Sequence, residues 1–211
     1  MAPHLLIFPC NGNAVEALDC IGSTFEVLGF VDDTAAKQAS GCHGLPVFGR
    51  EALQRWPDAL VLAVPGSPCS YLTRSQVIAS LGLSADRWAR VIHPAAHLST
   101  LATLGRNVLV MAGVVVTSNA VIGDHVCLLP NTVVHHDSHI GAYSLVGANV
   151  SIAGHVTVGE NCYIGSGSCL KNDITIGAGS LIGLGSTVIR DVPPGSRVAG
   201  NPARMLGPAG R

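Results

Sequence analysis

Two different hydrophobic patterns divide the chain near residue 88. In residues 1–88, short apolar runs alternate with segments of helical periodicity, which predicts strands at 4–8, 26–33 and 59–64 and helices at 14–22 and 70–82. Strands that alternate with helices favour a parallel sheet, because parallel strands need a crossover connection. We therefore expect a small Rossmann-like α/β domain over residues 1–88.

From Ile92 to Val188, every sixth residue is aliphatic, which makes seventeen consecutive positions without a break. A period of six matches neither an α-helix nor a single alternating strand, but it is the repeat of a parallel β-helix. Three such rungs close one triangular coil of 18 residues, so residues 89–192 should form about five coils. Residues 193–211 then form a C-terminal tail.

Composition excludes several classes of function. The formal net charge is −1, only 12% of residues are charged, and no run of Lys or Arg would suit nucleic acid or an anionic membrane. No apolar run approaches the roughly 18 residues that cross a bilayer, so we expect a soluble, cytoplasmic protein. The seven cysteines show no CxxC pairing and are expected to be buried thiols rather than disulfide or zinc ligands.

The segment VVHHDSHIG, residues 133–141, carries the densest candidate chemistry. In a hexapeptide rung, His135 and His139 should face outward from flat sides, whereas His136 and Asp137 fall on a corner. Residues 18 apart should stack at about 4.8 Å on successive coils. His136 then lies between Ser118 and Gly154, and Asp137 lies between Asn119 and His155.

A carboxylate beside an imidazole orients the ring and raises its basicity, which is what a general base needs. We therefore predict His136 and Asp137 as catalytic residues; the alternatives are solvated surface side chains or a zinc site. Zinc needs three ligands directed at one point. His139 should diverge from His136, and earlier coils offer only His97, so no metal is predicted.

Three motifs carry a resemblance to a known family: VIHP at 91–94, VVHHDSHIG at 133–141, and VPPGSRVAGNPAR at 192–204. The chain resembles the bacterial sugar O-/N-acyltransferases typified by sialic acid O-acetyltransferase and the N-acetyltransferases of UDP-bacillosamine and GDP-perosamine synthesis. The resemblance implies a left-handed β-helix, a homotrimer, and acetyl-CoA bound between neighbouring β-helices. It also implies that the histidine matching His136, followed by the acidic Asp137, is the general base.

The resemblance also suggests where the donor binds. The pantetheine arm would approach the backbone at the small residues on the coils above His136, and His155 would contact either Asp137 or the ligand. Basic side chains toward the C-terminus are candidates for the CoA phosphates, and relatives place the proline of the GNPA segment near adenine. The donor candidates are Ala153, Gly154, Gly165, His155, Lys171, Arg190, Arg197, Arg204 and Pro202.

The acceptor is expected in the N-terminal domain. Relatives carry GxGGHG after the first strand, whereas this chain reads PCNGNA, with a single glycine, and therefore gives no indication of NAD or FAD. The FVDD segment matches the family's acidic pair, and VPGSPCSYLTR matches its arginine-ending loop. The acceptor candidates are Asn11, Gly12, Asn13, Asp32, Asp33, Ser67 and Arg74.

Together these features predict an acetyl-CoA-dependent acetyltransferase acting on the amino group of a nucleotide-linked amino sugar, in surface-polysaccharide synthesis. O-acetylation of a sialic acid or related sugar would use the same base and is the first alternative. A non-catalytic trimeric β-helix scaffold is the second alternative, although a scaffold has no need of a His-Asp pair beside Gly154.

Overall fold

A computed structural model describes residues 2–210 and contains an α/β domain followed by a parallel β-helix. The N-terminal sheet is fully parallel in the order β3-β2-β1-β4. The longest described helices have six residues, so none of them could cross a membrane. The strands are β1 (His4–Phe8), β2 (Glu26–Val31), β3 (Val47–Phe48) and β4 (Leu60–Ala63); the helices are α1 (Gly12–Glu16), α2 (Leu18–Ile21), α3 (Ala35–Ser40), α4 (Ala52–Arg55) and α5 (Arg74–Ala79), with 3₁₀ turns at Tyr71–Thr73 and Ala85–Arg87.

The predicted parallel α/β domain is confirmed, but its helices are shorter than the sequence suggested. The helix predicted at 14–22 is divided into α1 and α2, and the one predicted at 70–82 begins as a 3₁₀ turn and ends at Ala79. The elements α3, β3 and α4 were not predicted. No residue of α3 is buried, so this helix leaves no apolar periodicity in the sequence.

The six-residue repeat forms a β-helix of seventeen two-residue strands, each ending on one of the aliphatic positions predicted to face inward. Each strand pairs in parallel with the strand 18 residues away. The strands are β5 (Val91–Ile92), β6 (His97–Leu98), β7 (Thr103–Leu104), β8 (Leu109–Val110), β9 (Val115–Val116), β10 (Val121–Ile122), β11 (Cys127–Leu128), β12 (Val133–Val134), β13 (His139–Ile140), β14 (Leu145–Val146), β15 (Ser151–Ile152), β16 (Thr157–Val158), β17 (Tyr163–Ile164), β18 (Cys169–Leu170), β19 (Thr175–Ile176), β20 (Leu181–Ile182) and β21 (Thr187–Val188).

Three sheets form the sides of the prism. The docked sheet contains β5, β8, β11, β14, β17 and β20; the second sheet runs from β6 to β21, and the third from β7 to β19. Each coil has a first corner after the docked sheet, a second corner after the second sheet, and a third corner after the third sheet. The second corner therefore lies across the prism from the docked sheet.

The corners turn through a residue in the left-handed backbone region. These residues recur every six positions and are mostly Asn, Asp, Gly or His, the types that tolerate positive φ. From His125 onward, their backbone N–H bonds to a carbonyl of the preceding coil, as from Asp137 to Ser118 at 3.0 Å. The corner residues are Asn107, Gly113, Asn119, His125, Asn131, Asp137, Tyr143, Asn149, His155, Asn161, Gly167, Asp173, Gly179 and Gly185.

The two ends of the β-helix differ. At the first coil the inner side chains are partly open to solvent, and Ile92 is 39% exposed. At the other end, the segment predicted as a tail forms a hairpin of β22 (Ser196–Gly200) and β23 (Ala203–Pro208). Because β22 pairs in parallel with β20, this hairpin continues the docked sheet and covers the last coil.

The N-terminal domain packs on the docked sheet and on the third corners beside it. Outward side chains such as Leu109 and Leu145 share a buried cluster with Leu5 and Ile7 of β1. The buried Asn107 side chain exchanges two hydrogen bonds with Ala63 in β4, at 2.7 and 2.8 Å. One column of corner residues therefore attaches the β-helix to the domain.

His125 lies in the same column and is enclosed by aromatic rings. Its ring stacks on Tyr143 at 4.7 Å, meets Trp88 edge-on at 5.0 Å, and its Nδ1 lies 2.9 Å from the Asn107 amide nitrogen. Burial lowers the pKa of His125 from 6.5 to about 4, because a charged imidazole would lose its hydration there. The native interface therefore holds a neutral ring.

This burial makes stability depend on pH. As pH falls from 6.5 toward about 4, the unfolded chain binds a proton at this residue and the folded chain does not, so folding loses free energy. We expect His125→Asn, which tolerates the left-handed corner, to destabilise the protein by about 1–3 kcal/mol at neutral pH. The variant should also flatten the decline of Tm over this pH range. Parallel Tm–pH curves for the two proteins would contradict the assignment.

Candidate active site

The second corner of the coil that contains β12 and β13 brings His136 and Asp137 together. His136 Nδ1 lies 2.8 Å from Asp137 Oδ2, and both side chains are open to solvent. Asp137 is the left-handed corner residue, with φ of 58°, so the turn itself holds its carboxylate beside the ring. His135 and His139 are also exposed but lie on the second and third sheets, as predicted.

A second polar group holds the other oxygen of Asp137. The Asn119 amide, one coil below, donates to Asp137 Oδ1 at 2.9 Å. The hydrogen bonds from Asn119 and then from His136 lower the pKa of Asp137 below its usual value. The carboxylate is therefore ionised at neutral pH and can only accept a hydrogen bond. His136 Nδ1 then carries the hydrogen, and the lone pair of the neutral imidazole is on Nε2. Asn119 was predicted only as a stacked neighbour; the spacing of 18 is the signal that identifies it.

His155, one coil above Asp137, approaches the same carboxylate oxygen. Its Nε2 lies 3.9 Å from Asp137 Oδ2, and its ring meets the His136 ring edge-on with centroids 5.1 Å apart. The backbone N–H of His155 also donates to the His136 carbonyl at 3.1 Å. Of the two contacts expected for His155, the one with Asp137 is therefore present in the free chain.

Gly154 provides the space that the His136 ring occupies. A Cβ added to Gly154 would lie 2.7 Å from both Cε1 and Nε2 of His136, which is closer than side-chain carbons pack. The imidazole therefore leans over the coil above, with its free Nε2 beside the Gly154 backbone. Gly165, another donor candidate, has a different reason to be glycine, because its Cβ would meet the backbone of Gly183 and Leu184.

The remaining donor candidates lie on the upper coils. Ala153 and the exposed Lys171 lie on successive coils of the second sheet, and Arg190 lies three coils above His136 in the same corner column. At about 4.8 Å per coil, this column is about 14 Å long. Arg190 also lines a cavity of about 200 Å³ with Arg204, next to the exposed Pro202.

Two acceptor candidates meet at a groove between the domains. Asn13 and Ser67 line a groove of about 170 Å³ whose opposite wall is the docked sheet, with Leu129, Leu145 and Tyr163. The groove lies at about the same height along the prism as His136, because its wall residues Leu129 and Leu145 precede and follow His136 by less than one coil.

Other acceptor candidates already have partners within the chain. The Asn11 side chain caps α1, accepting from the Ala14 N–H at 2.9 Å, while Gly12 next to it has open space. Asp33 forms a two-pronged ion pair with Arg50 at 2.8 Å. Asn11 and Asp33 therefore have structural contacts that would persist without a ligand.

Asp32 is almost fully buried and is held by several donors. Its oxygens accept from the backbone N–H groups of Cys10 and Thr34 and from Lys37 Nζ, which lies 2.8 Å away. Burial raises the pKa of this carboxyl, but the hydrogen bonds from Lys37 and Thr34 outweigh burial and lower it overall. Lys37 also donates to the Cys10 carbonyl, so the ion pair fixes the turn after β1.

Arg74 does not lie where the sequence suggested. It is 1% exposed, and its guanidinium donates to the carbonyls of Pro65 and His125, the second at 2.6 Å. We expected Arg74 to contact a ligand directly, and the burial of its side chain disagrees with that expectation. The physical reason is that the loop beginning at Val64 folds over the arginine, so that Arg74 joins the loop to the β-helix.

The cysteines whose pKa is shifted are not activated nucleophiles. Burial raises the pKa of Cys10, Cys20 and Cys162 to about 11 in each case, which disfavours the thiolate. Within residues 2–210, the side chains placed to share a metal ion are His136, Asp137 and His155. The zinc set considered from the sequence, with His97 and His139, is not assembled in this chain.

Comparison with known proteins identifies the class. The model of the bacterial transferase hexapeptide (six repeats) family matches residues 102–136 and 137–172, within the β-helix. PerB from Caulobacter crescentus, solved with CoA and GDP-perosamine, is 30% identical and aligns over 98% of both chains with a TM-score of 0.81. No curated protein matches in sequence.

Two further solved structures extend the comparison. The acetyltransferase domain of PglB from Neisseria gonorrhoeae, solved with acetyl coenzyme A, is 27% identical over 98% of this chain and 100% of its own, with a TM-score of 0.84. WeeI from Acinetobacter baumannii is 22% identical over 98% of this chain and 100% of its own, with a TM-score of 0.84. At this identity the similarity supports the fold alone. The chain belongs to the bacterial hexapeptide-repeat family of sugar acyltransferases and is itself an acyltransferase.

The space beside Gly154 can be tested directly. Gly154→Ala should displace the His136 ring and lower turnover by roughly ten- to a hundredfold, the usual cost of misplacing a reacting group by about 1 Å. Thermal unfolding should change little, because the added methyl group meets an exposed ring. Ser118→Ala, at the same corner one coil below His136, is the control. Equal rates for the two variants would show that the position of the ring does not limit the reaction.

Proposed function

We propose that the protein transfers the acetyl group of acetyl-CoA to the amino group of a nucleotide-linked amino sugar, with His136 as general base. The observation that carries this proposal is the corner pair in which the ionised Asp137 holds His136 Nδ1 and leaves Nε2 free beside Gly154. We place this reaction in the cytoplasm, and the pathway we favour is surface-polysaccharide synthesis.

The chemistry needs one proton acceptor near the thioester. The acceptor amine attacks the thioester carbonyl, and His136 Nε2 takes the proton that the nitrogen loses. Backbone N–H groups on the coil above are candidates to bind the oxyanion of the tetrahedral intermediate. When the intermediate collapses, the carbon–sulfur bond breaks and the imidazolium returns the proton to the CoA thiolate. Asp137 stabilises the imidazolium throughout.

The comparison favours an amino sugar over a sialic acid, because the relative PerB was solved with CoA and GDP-perosamine. None of the described residues that line the N-terminal groove carries a positive charge, so we expect the sugar to enter the groove and the phosphates of a nucleotide-linked acceptor to lie outside it. The apolar wall of Leu129, Leu145 and Tyr163 suits an uncharged part of the acceptor. O-acetylation stays the alternative, because the base is the same.

The positions of groove and base favour a site shared between chains. The groove lies against the docked sheet, and His136 lies at the corner on the far side of the prism. An acceptor held in the groove of one chain is therefore directed away from the base of that chain. A homotrimer of parallel prisms would bring the groove of one protomer to the His136 corner of the next, with acetyl-CoA between the β-helices.

The base is tested by comparing two neighbouring histidines. His136→Ala should lower turnover by about two to four orders of magnitude, the usual size of a general-base contribution. His139→Ala, on the flat third sheet, should change it little. CoA release with a panel of nucleotide amino sugars measures both. Near-wild-type turnover in His136→Ala would end the assignment. If the wild type shows no CoA binding and no CoA release, the scaffold hypothesis would be favoured.

The nature of the product separates the two transferase hypotheses. An N-acetyl product is an amide and should survive hydroxylamine, whereas an O-acetyl product is an ester and should be cleaved. Mass spectrometry of the acetylated sugar before and after this treatment distinguishes them. Loss of the acetyl group would overturn N-acetylation and leave the donor and the base unchanged.

Mixed oligomers test the shared site. His136→Ala removes the base, and Ser67→Phe should fill the acceptor groove, so each variant alone should be nearly inactive. Co-expressed with different tags, randomly assorted chains should recover about one quarter of wild-type activity, because a groove and a base then come from different chains. Reversing the tags is the control. No recovery would mean that each chain uses its own groove and base.

A further inference from the structure

The second corner brings together three side chains with metal-binding atoms. His136, Asp137 and His155 each offer one ligand atom, and these atoms all lie within 4.8 Å of one another. The side chains are 54%, 36% and 58% exposed, so a solvated ion can reach them and keep a water molecule. We propose that these three residues form a binding site for a divalent transition-metal ion of the Zn²⁺ type, and that the bound ion inhibits the transferase.

The distances suit a tetrahedral ion after small movements. With Zn–N and Zn–O bonds of about 2.0–2.1 Å, neighbouring ligand atoms lie about 3.3 Å apart. Asp137 Oδ2 lies 2.8 Å from His136 Nδ1 and 3.9 Å from His155 Nε2, one shorter and one longer than this spacing. Shifts of about half an ångström would bring these two distances to that spacing, and the two imidazole nitrogens, which lie within 4.8 Å of each other, would have to approach by at most about 1.5 Å.

The surroundings already orient the central ligand. Asn119 donates to Asp137 Oδ1, which leaves Oδ2 directed at the two imidazoles. Hydrogen bonds of this kind to a ligating carboxylate strengthen metal sites. Asp137 and His155 are both left-handed corner residues on stacked coils, so the backbone limits their separation.

The set of ligands selects the kind of ion. Two imidazoles and one carboxylate suit Zn²⁺, Co²⁺ or Ni²⁺, whereas Mg²⁺ and Ca²⁺ prefer oxygen ligands alone. Three protein ligands leave a fourth position for water. Acetyl transfer itself calls for no metal, so the ion would be a reversible inhibitor and not a cofactor.

Inhibition follows from the atom that the ion would occupy. The ion takes the place of the proton on His136 Nδ1, and Nε2 takes up one proton through solvent, so that the ring stays neutral and carries its single hydrogen on Nε2. Nε2 can no longer accept a proton from the substrate amine. This inhibition rests on the proposed role of His136 as base, but metal binding itself does not.

The first experiment measures binding without catalysis. The full chain, free of acetyl-CoA, is titrated with Zn²⁺ by calorimetry and with Co²⁺ by visible absorption. We expect one ion per chain, and at least about tenfold weaker binding in His155→Asn, in which asparagine tolerates the left-handed corner. His139→Asn, an exposed histidine outside the cluster, should bind as the wild type does.

The second experiment measures inhibition relative to the metal-free rate of each protein. Zn²⁺ should inhibit the wild type and His139→Asn, EDTA should restore the rate, and His155→Asn should resist Zn²⁺ by at least about tenfold. Inhibition should weaken as pH falls, because protons compete for the imidazoles.

Equal Zn²⁺ affinity in the wild type and His155→Asn, or no binding by either, would overturn the site. If no acceptor gives turnover, the calorimetric comparison still decides the metal site, and only the proposed function fails. Binding without inhibition in an active enzyme would retain the site and overturn its inhibitory role.

Discussion

The left-handed corner is the constraint on which the β-helix depends. Each rung has to turn sharply, and every sixth residue from Asn107 to Gly185 does so with positive φ. From His125 onward, the N–H of this residue also bonds to the coil below. This contact keeps residues 18 apart in register, so that aliphatic side chains stack on aliphatic side chains inside. Asn, Asp, Gly and His tolerate the conformation, and three of these four residue types also carry functional side chains.

The prism uses its corners for different purposes. At the third corners, Asn107, His125 and Asn161 turn toward the N-terminal domain and attach it. At the second corners, Asn119, Asp137 and His155 turn toward solvent and form the polar column around His136. Both columns have the same backbone geometry, and what differs is whether another domain covers them.

The period of six explains why so much of the second half could be predicted. Once the coil length is known, the stacking of His136 with Gly154 and of Asp137 with Asn119 follows from counting residues. The N-terminal domain offers no such repeat. The burial of Arg74 depends on tertiary contacts of one side chain with Pro65 and His125, which no sequence pattern encodes. The approach of His155 to the Asp137 carboxylate depends on rotamers as well as on register.

The coil of 18 residues also restricts how the family can change in length. Gain or loss of one rung between Asp137 and His155 would move every later residue by one side of the prism. His155 would then leave the column of Asp137, although the aliphatic interior would remain intact. Whole coils, by contrast, could be added beside the open first coil without disturbing the corner at His136. Insertions and deletions inside the β-helix should therefore survive selection in multiples of one coil, with smaller changes confined to loops that protrude from corners.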